Sequence, residues 1–200
     1  MFIKKKSLYI GRRNLPEAIV IGASAGGMKA LEKIVSSLPS DYPIPIIIVQ
    51  HQKHDSDNFL MRNLDHKCKV NVKEVMASEP IVGNYVYLSP SGYHLLIEAD
   101  KTFNLSCDEP VNYSIPSIDV LFETAAEVYE KSLVGIVLTG ANSDGTKGMK
   151  AIRDNGGITV VEDPSTAYVS TMPESVLTCM KPDHVLSLDG IALFIKSIVP

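Results

Sequence analysis

Three side chains that lie far apart in this sequence make one chemistry when brought together: the hydroxyl of Ser24, the imidazole of His51 and the carboxylate of Asp144. A serine hydroxyl is a poor nucleophile until a nearby base accepts its proton, and histidine is poised to do so near neutrality. The imidazole in turn needs a carboxylate to fix its tautomer and to stabilise the imidazolium that forms. Acyl transfer by a Ser-His-Asp triad is what these residues would do. Ser24 sits in Gly22-Ala23-Ser24-Ala25-Gly26, which fits the G-x-S-x-G turn that lifts a side chain out between a strand and a helix. The backbone N–H of Ala25, at the start of that helix, is well placed to hold a developing oxyanion.

Each residue also has a plainer use. Ser24 alone fits a turn or a cap, His51 a satisfied core histidine, and Asp144 a cap on the helix that follows Gly145. The small-residue turn could equally cradle a phosphate. The elements that would have to position the three residues separate these uses.

Residues 18–21 are a continuous apolar run that predicts a buried strand ending at the Ser24 turn. A helix follows, with Met28, Leu31, Ile34, Val35 and Leu38 on one face at helical spacing. Residues 46–49 form a second buried strand, ending at Gln50-His51. A helix is expected over 57–65, with Phe59, Leu60 and Leu64 inward, and strands over 70–75 and 85–88. Residues 93–98 and 102–107 read as an antiparallel hairpin around Ala99-Asp100-Lys101. Pro116-Ser117 opens a helix with Ile118, Leu121, Phe122, Ala125 and Val128 in a stripe. The strand at 132–138 closes in Thr139-Gly140-Ala141-Asn142-Ser143-Asp144-Gly145, and a helix through Met149 and Ile152 stops at Gly156-Gly157. A strand at 158–161, a short helix opened by Pro173 with Val176 and Leu177 inward, a strand at 185–188 and a helix through Ile195 complete the chain.

Strands alternating with helices imply an α/β fold: a three-layer, doubly wound, mainly parallel sheet (Rossmann-like) with a small antiparallel hairpin. In such sheets sites form at the carboxyl ends of strands. Ser24, His51 and Asp144 follow three of those ends. Their order, Ser–His–Asp, is not the Ser–Asp/Glu–His order of the common α/β-hydrolase fold.

Bulk properties bound the answer. Two hundred residues with 45 % hydrophobic content suit one globular domain. Residues 17–200 are expected to form it. Residues 1–16, with Lys4, Lys5, Lys6, Arg12, Arg13 and no acid, read as a basic tail or linker remnant, or else as a docking arm for an acidic partner. A net charge of −4 argues against nucleic acid as a partner. No apolar run approaches the roughly 20 residues of a membrane span, so no membrane insertion is expected. Without a secretory h-region the expected location is cytoplasmic. Cys68, Cys107 and Cys179 are expected to be reduced, mostly buried thiols. No cofactor and no metal is expected.

At this level of detail the chain resembles the catalytic domain of the chemotaxis protein-glutamate methylesterases, from about Glu17 to the C-terminus. The resemblance rests on residues 21–27 (Ile-Gly-Ala-Ser-Ala-Gly-Gly), Val49-Gln50-His51, residues 86–90 with His94, and residues 116–122 (Pro-Ser-Ile-Asp-Val-Leu-Phe). Thr139-Gly140 with Asp144-Gly145 and Met172-Pro173 complete it. It implies a serine hydrolase that cleaves glutamate γ-methyl esters, and deamidates particular glutamines, on methyl-accepting chemotaxis receptors or another methylated signalling protein. It further implies Ser24 as nucleophile, His51 as base, Asp144 as its orienting carboxylate, and the N–H groups of Ala25 and Ala141 as the oxyanion hole.

The chain departs from the family pattern beside the site. Ala141-Asn142 stand where Met-Gly is usual, Gln52-Lys53 where Met-Pro often follows the histidine, Ile115 where Arg often precedes Pro-Ser, and Thr171 where glycine is common before Met-Pro. The family's usual N-terminal receiver domain and linker have no counterpart in this sequence. The expectation is therefore a constitutively open site, with control by a separate response-regulator receiver as the other possibility. Two further readings compete with the esterase. Residues 51–57 (His-Gln-Lys-His-Asp-Ser-Asp) are rich in metal ligands. A non-catalytic module could use the Gly22–Gly27 turn to bind a phosphate or a methylated protein, although that turn lacks the glycine spacing of a dinucleotide site.

Overall fold

A computed structural model describes residues 15–51 and 59–199. In chain order the elements are β1 (Ala18–Ala23), α1 (Gly27–Val35), β2 (Ile46–Gln50), α2 (Phe59–Lys67), β3 (Asn71–Glu74) and β4 (Tyr85–Leu88). A hairpin of β5 (His94–Ile97) and β6 (Phe103–Ser106) leads to α3 (Ile118–Tyr129). Then come β7 (Leu133–Val137), α4 (Thr146–Asp154), β8 (Ile158–Glu162), α5 (Thr171–Cys179), β9 (His184–Leu186) and α6 (Leu188–Ser197).

Every residue of β1, β2, β7 and β8 is buried, which requires cover on both faces of the sheet. The side-chain period of two divides the apolar set between those faces. Ile19 and Ile21 pack with α1, α2 and α6, while Ala18 and Val20 pack with α3, α4, α5 and the hairpin. The strands lie in the order β3-β4-β2-β1-β7-β8-β9 with parallel pairing throughout, and β5 and β6 form a separate antiparallel pair. The three layers, the parallel sheet and the hairpin are those expected from the sequence.

The central position of β1 matters most. Its Ile21 pairs with Ile48 of β2 on one side and with Ile136 of β7 on the other. The strand order reverses there, and the carboxyl ends of three neighbouring strands open onto one crevice. Strands about 4.8 Å apart bring the loops that follow them within side-chain reach of one another.

Several local expectations need correction. Met28 is 48 % exposed and Phe59 62 % exposed, whereas Leu31, Ile34, Val35 and Leu38 of the first stripe and Leu60 and Leu64 of the second are buried. Both outliers lie in the first turn of their helices, beyond the core those helices cover. The final strand is the short edge strand β9, with Val185 exposed; Leu188 begins α6, capped by the Ser187 hydroxyl accepting the Gly190 N–H. The thiols are not mostly buried: Cys107 and Cys179 are exposed and Cys68 is half-buried. The basic residues up to Arg13 lie outside the described residues. No helix among the described residues is long and apolar enough to cross a membrane.

Candidate active site

Ser24 follows β1 directly. Its N–H donates to Thr139 O at 3.0 Å, and its carbonyl accepts from Gly27 N at 2.8 Å and Gln50 Nε2 at 2.9 Å. With its backbone fixed, only the hydroxyl is left to act. Gly26 makes the reversal from strand to helix with φ +83°, a left-handed conformation that side chains resist. A Cβ there would also lie 2.7 Å from Tyr168 Cβ. His51 follows β2 in the same way, its N–H donating to Ala23 O at 3.0 Å. The buried Gln50 donates from Nε2 to the carbonyls of both Ser24 and His51, at 2.9 Å each. One amide group thus ties the two loops together.

The imidazole of His51 bridges the other two residues. Its Nδ1 is 3.2 Å from Ser24 Oγ and its Nε2 is 2.8 Å from Asp144 Oδ2. An ionised carboxylate only accepts, so Nε2 carries the ring proton and Nδ1 presents its lone pair to the serine hydroxyl. The better-known triads use the two nitrogens the other way round. The logic is unchanged: hydroxyl and orienting carboxylate occupy opposite sides of one ring.

Asp144 is fully buried, and it does not cap the helix that follows it. Gly145 stands at the start of α4, while Asp144 reaches across to the N-terminus of α3. Its Oδ2 accepts from Ile118 N at 2.7 Å, and its Oδ1 accepts from Ser117 Oγ at 2.8 Å and from Asp119 N and Gly145 N at 3.1 Å each. Asn112 Nδ2 is a further donor at 3.4 Å. Burial acts to raise this carboxyl, but His51, the Ile118 and Asp119 N–H groups and Ser117 outweigh it and hold Asp144 below the usual carboxylate range. A charge at a helix N-terminus is stabilised by the helix dipole as well.

Two features let α3 come so close. Gly22 in β1 has no Cβ, and one placed there would lie 2.4 Å from Ile118 Cγ2. The buried His94 accepts the Ser117 N–H on Nδ1 at 3.1 Å and donates from Nε2 to Glu109 O at 3.1 Å, which fixes the residue before the helix. A second buried carboxyl, Asp119, accepts from Gly148 N at 2.8 Å and Asn112 Nδ2 at 2.9 Å. Burial pushes it up to about 6; the Gly148 N–H opposes that rise and the Asp144 charge adds to it.

The loop after β7 is braced from both sides. Thr139 Oγ1 donates to Ala25 O at 2.8 Å and accepts the Val169 N–H at 2.8 Å, while its N–H donates to the buried Glu162 at 2.8 Å. Gly140 N donates to Val169 O at 3.1 Å, and Met172 N donates to Gly140 O at 3.0 Å with the Met172 side chain packed on that glycine. Ala25 is half-buried and Ala141 exposed. Neither N–H has an acceptor among the described residues. The first turn of α1 carries no acidic side chain to neutralise its positive end.

The structure therefore brings Ser24, His51 and Asp144 into one hydrogen-bonded line, with Ala25 next in chain to the serine and Ala141 on the loop bonded to it. Both ring nitrogens of His51 are turned to Ser24 and Asp144, and residues 52–57 of the ligand-rich stretch lie outside the described residues. Gln50, Asn112, Ser117 and Thr139 support the line, yet sequence reasoning gave Ser117 only a helix start and the other three no role. Gln50, Ser117 and Thr139 lay in the motifs that carry the family resemblance, whereas Asn112 carried no signal in the sequence.

Comparison with known families matches residues 19–195 to CheB methylesterase. A Leptospira interrogans protein, provisionally named a protein-glutamate methylesterase/protein-glutamine glutaminase, is 54 % identical over 181 residues, covering 90 % of this chain and 94 % of that protein. The Symbiobacterium thermophilum protein-glutamate methylesterase/protein-glutamine glutaminase is 38 % identical over 179 residues, and the match spans 49 % of its length. The crystal structure of the Thermotoga maritima CheB methylesterase catalytic domain superposes with a TM-score of 0.88 at 33 % identity, covering 92 % of this chain and 99 % of that one. Sequence and architecture agree over nearly the whole chain, and it belongs to the CheB methylesterase family.

Proposed function

We propose that this chain hydrolyses the γ-methyl esters of protein glutamate side chains, and deamidates glutamine at equivalent positions, with Ser24 as nucleophile. The observation that carries this reading is the His51 ring, held with Nε2 on a buried carboxylate and Nδ1 facing the serine hydroxyl at 3.2 Å. Family membership supports a protein substrate of the chemoreceptor class.

In the first half-reaction Ser24 Oγ attacks the ester carbonyl carbon while its proton passes to His51 Nδ1. The carbonyl oxygen becomes an oxyanion, for which the Ala25 and Ala141 N–H groups are the donors. Asp144 stabilises the imidazolium through Nε2. Collapse of the tetrahedral intermediate breaks the C–O bond to the methoxy group, which takes the proton from Nδ1 and leaves as methanol. A water molecule then gives a proton to Nδ1 and attacks the acyl-serine. The second collapse returns the proton to Ser24 Oγ and frees the glutamate side chain as its carboxylic acid, which loses its remaining proton to solvent.

The test is methanol release from a methylated chemoreceptor fragment by the wild type and by Ser24→Ala. Loss of the nucleophile is expected to cost about 10⁴-fold or more in kcat, as in other triads. Equal release by both folded proteins would refute the assignment of Ser24. Binding of the methylated fragment without turnover by the wild type would establish the non-catalytic binding module instead.

A further inference from the structure

We infer that Asn142 sets the balance between ester and amide hydrolysis at this site. The inference rests on the catalytic reading above and names a residue that the triad does not include. Asn142 lies in the loop between β7 and α4, half-buried, and its amide is held in one orientation. Its Oδ1 accepts the Asp144 N–H at 3.2 Å, a side-chain-to-backbone turn spanning two residues. With the oxygen committed, Nδ2 faces the reaction centre. It lies 3.5 Å from His51 Nδ1 and 3.4 Å from Ser114 Oγ.

His51 Nδ1 is the nitrogen that receives the serine proton and must hand it to the leaving group. A leaving atom positioned to take that proton sits about 3 Å from Nδ1. Asn142 Nδ2 approaches the same nitrogen at 3.5 Å, so a leaving atom that docks on Nδ1 comes within its reach. With Ser114 Oγ accepting one Nδ2 hydrogen, Asn142 has a second N–H to present to the leaving atom.

The two substrates differ at that atom. The methoxy oxygen of an ester has no hydrogen and has lone pairs for both donors, the His51 Nδ1–H and the Asn142 amide. The amide nitrogen of the tetrahedral intermediate has one lone pair, which must point at Nδ1–H. Its own two N–H groups then meet the remaining N–H of Asn142, and donor faces donor. A half-buried donor that loses its acceptor when substrate excludes water is penalised by roughly 10-fold in rate. Asn142 thus favours expulsion of methanol over expulsion of ammonia. Aspartate at the same place would reverse the preference, since its carboxylate accepts from a departing amine and can still accept the Asp144 N–H.

The experiment compares one receptor peptide made in two forms, with γ-methyl glutamate or with glutamine at the same position. Methanol and ammonia release give kcat/KM for each form with the wild type, Asn142→Ala and Asn142→Asp, and Ser24→Ala serves as the background. The expected result is an amide-to-ester ratio about 10-fold higher in Asn142→Ala and higher again in Asn142→Asp. A purely structural role for Asn142 would lower both rates together and leave the ratio where it was. Ser24-dependent methanol release with a ratio unchanged within twofold in both variants overturns this inference and leaves the esterase reading intact. Ammonia release undetectable with all three proteins overturns it as well. A wild type that releases neither product refutes both readings together.

Discussion

Replacing Asp144 with asparagine should separate the structural work of this carboxylate from its chemical work. The variant keeps the side-chain shape, removes the charge and turns one acceptor into a donor. The amide oxygen belongs at the Oδ1 position, where Ser117 Oγ, Asp119 N and Gly145 N all donate. The amide nitrogen then faces the Ile118 N–H and His51 Nε2. Two consequences follow. The Ile118 N–H becomes a buried donor without an acceptor, at a cost of about 1–3 kcal/mol. The N-terminus of α3 also loses a negative charge worth up to about 1 kcal/mol. A fall in stability of roughly 1–4 kcal/mol leaves a typical domain folded. The chemical loss is larger. An amide N–H donating to Nε2 moves the ring proton to Nδ1, which then donates to Ser24 Oγ and can no longer accept from it. A base trapped in the wrong tautomer costs about 10⁴-fold in kcat, equivalent to roughly 5.5 kcal/mol of barrier. Methanol release and urea unfolding on the same preparations read the two effects separately. A folded Asp144→Asn protein with kcat within tenfold of the wild type would refute the tautomer argument. So would a Ser24→Ala/Asp144→Asn double variant much slower than Ser24→Ala alone, because groups that act as a unit are lost only once.

The raised Asp119 carboxyl makes stability pH-dependent with a definite sign. Its folded value of about 6 lies above the ordinary 3.8, so its contribution is complete below about pH 3.8 and is lost as pH rises through about 6. Urea midpoints measured from pH 4 to 7 should show this decline in the wild type and a smaller one in Asp119→Asn; equal slopes would refute the assignment. Gly22→Ala should destabilise by about 1–3 kcal/mol through the 2.4 Å approach to Ile118 Cγ2. A second change, Ile118→Ala, should cost less in that background than in the wild type, because the two sites share one space; strictly additive unfolding free energies would count against the contact.

Much of this arrangement was legible in the sequence, and the reasons are specific. Apolar runs such as Ile46-Ile47-Ile48-Val49 admit few alternatives to a strand covered on both faces. Once strands and helices alternate, residues just past strand ends are known to share an edge, which is how Ser24, His51 and Asp144 could be grouped without coordinates. What stayed hidden involved partners distant in sequence. Asp144 before Gly145 looks like a cap for α4, and nothing local reveals that its acceptors serve α3, whose first N–H lies 26 residues earlier. Periodicity assigned Met28 and Phe59 to inward faces because it counts positions around a helix but does not register where the core beneath ends. The thiols failed for a related reason: the usual burial of cysteine is an average, and Cys107 and Cys179 occupy exposed ends of their segments.

The placement of helices around the crevice explains why this edge suits charge-separating chemistry. In a parallel sheet each connecting helix begins near the carboxyl end of the preceding strand, so helix N-termini gather on one side. Here two of them, from opposite layers, point at the same few atoms. The N-terminus of α3 holds Asp144 and favours its ionised form. The N-terminus of α1, carrying no acid of its own, lies beside Ser24, where a negative charge would exist only while the tetrahedral intermediate lasts. Between them sits His51, which in the proposed mechanism takes the serine proton and becomes cationic. In that mechanism the transition state alternates negative, positive and negative, and each negative member rests on a helix end. The resting state has only one such charge. Electrostatic stabilisation that grows as the reaction proceeds is what accelerates the chemical step, because equal stabilisation of both states would leave the barrier unchanged.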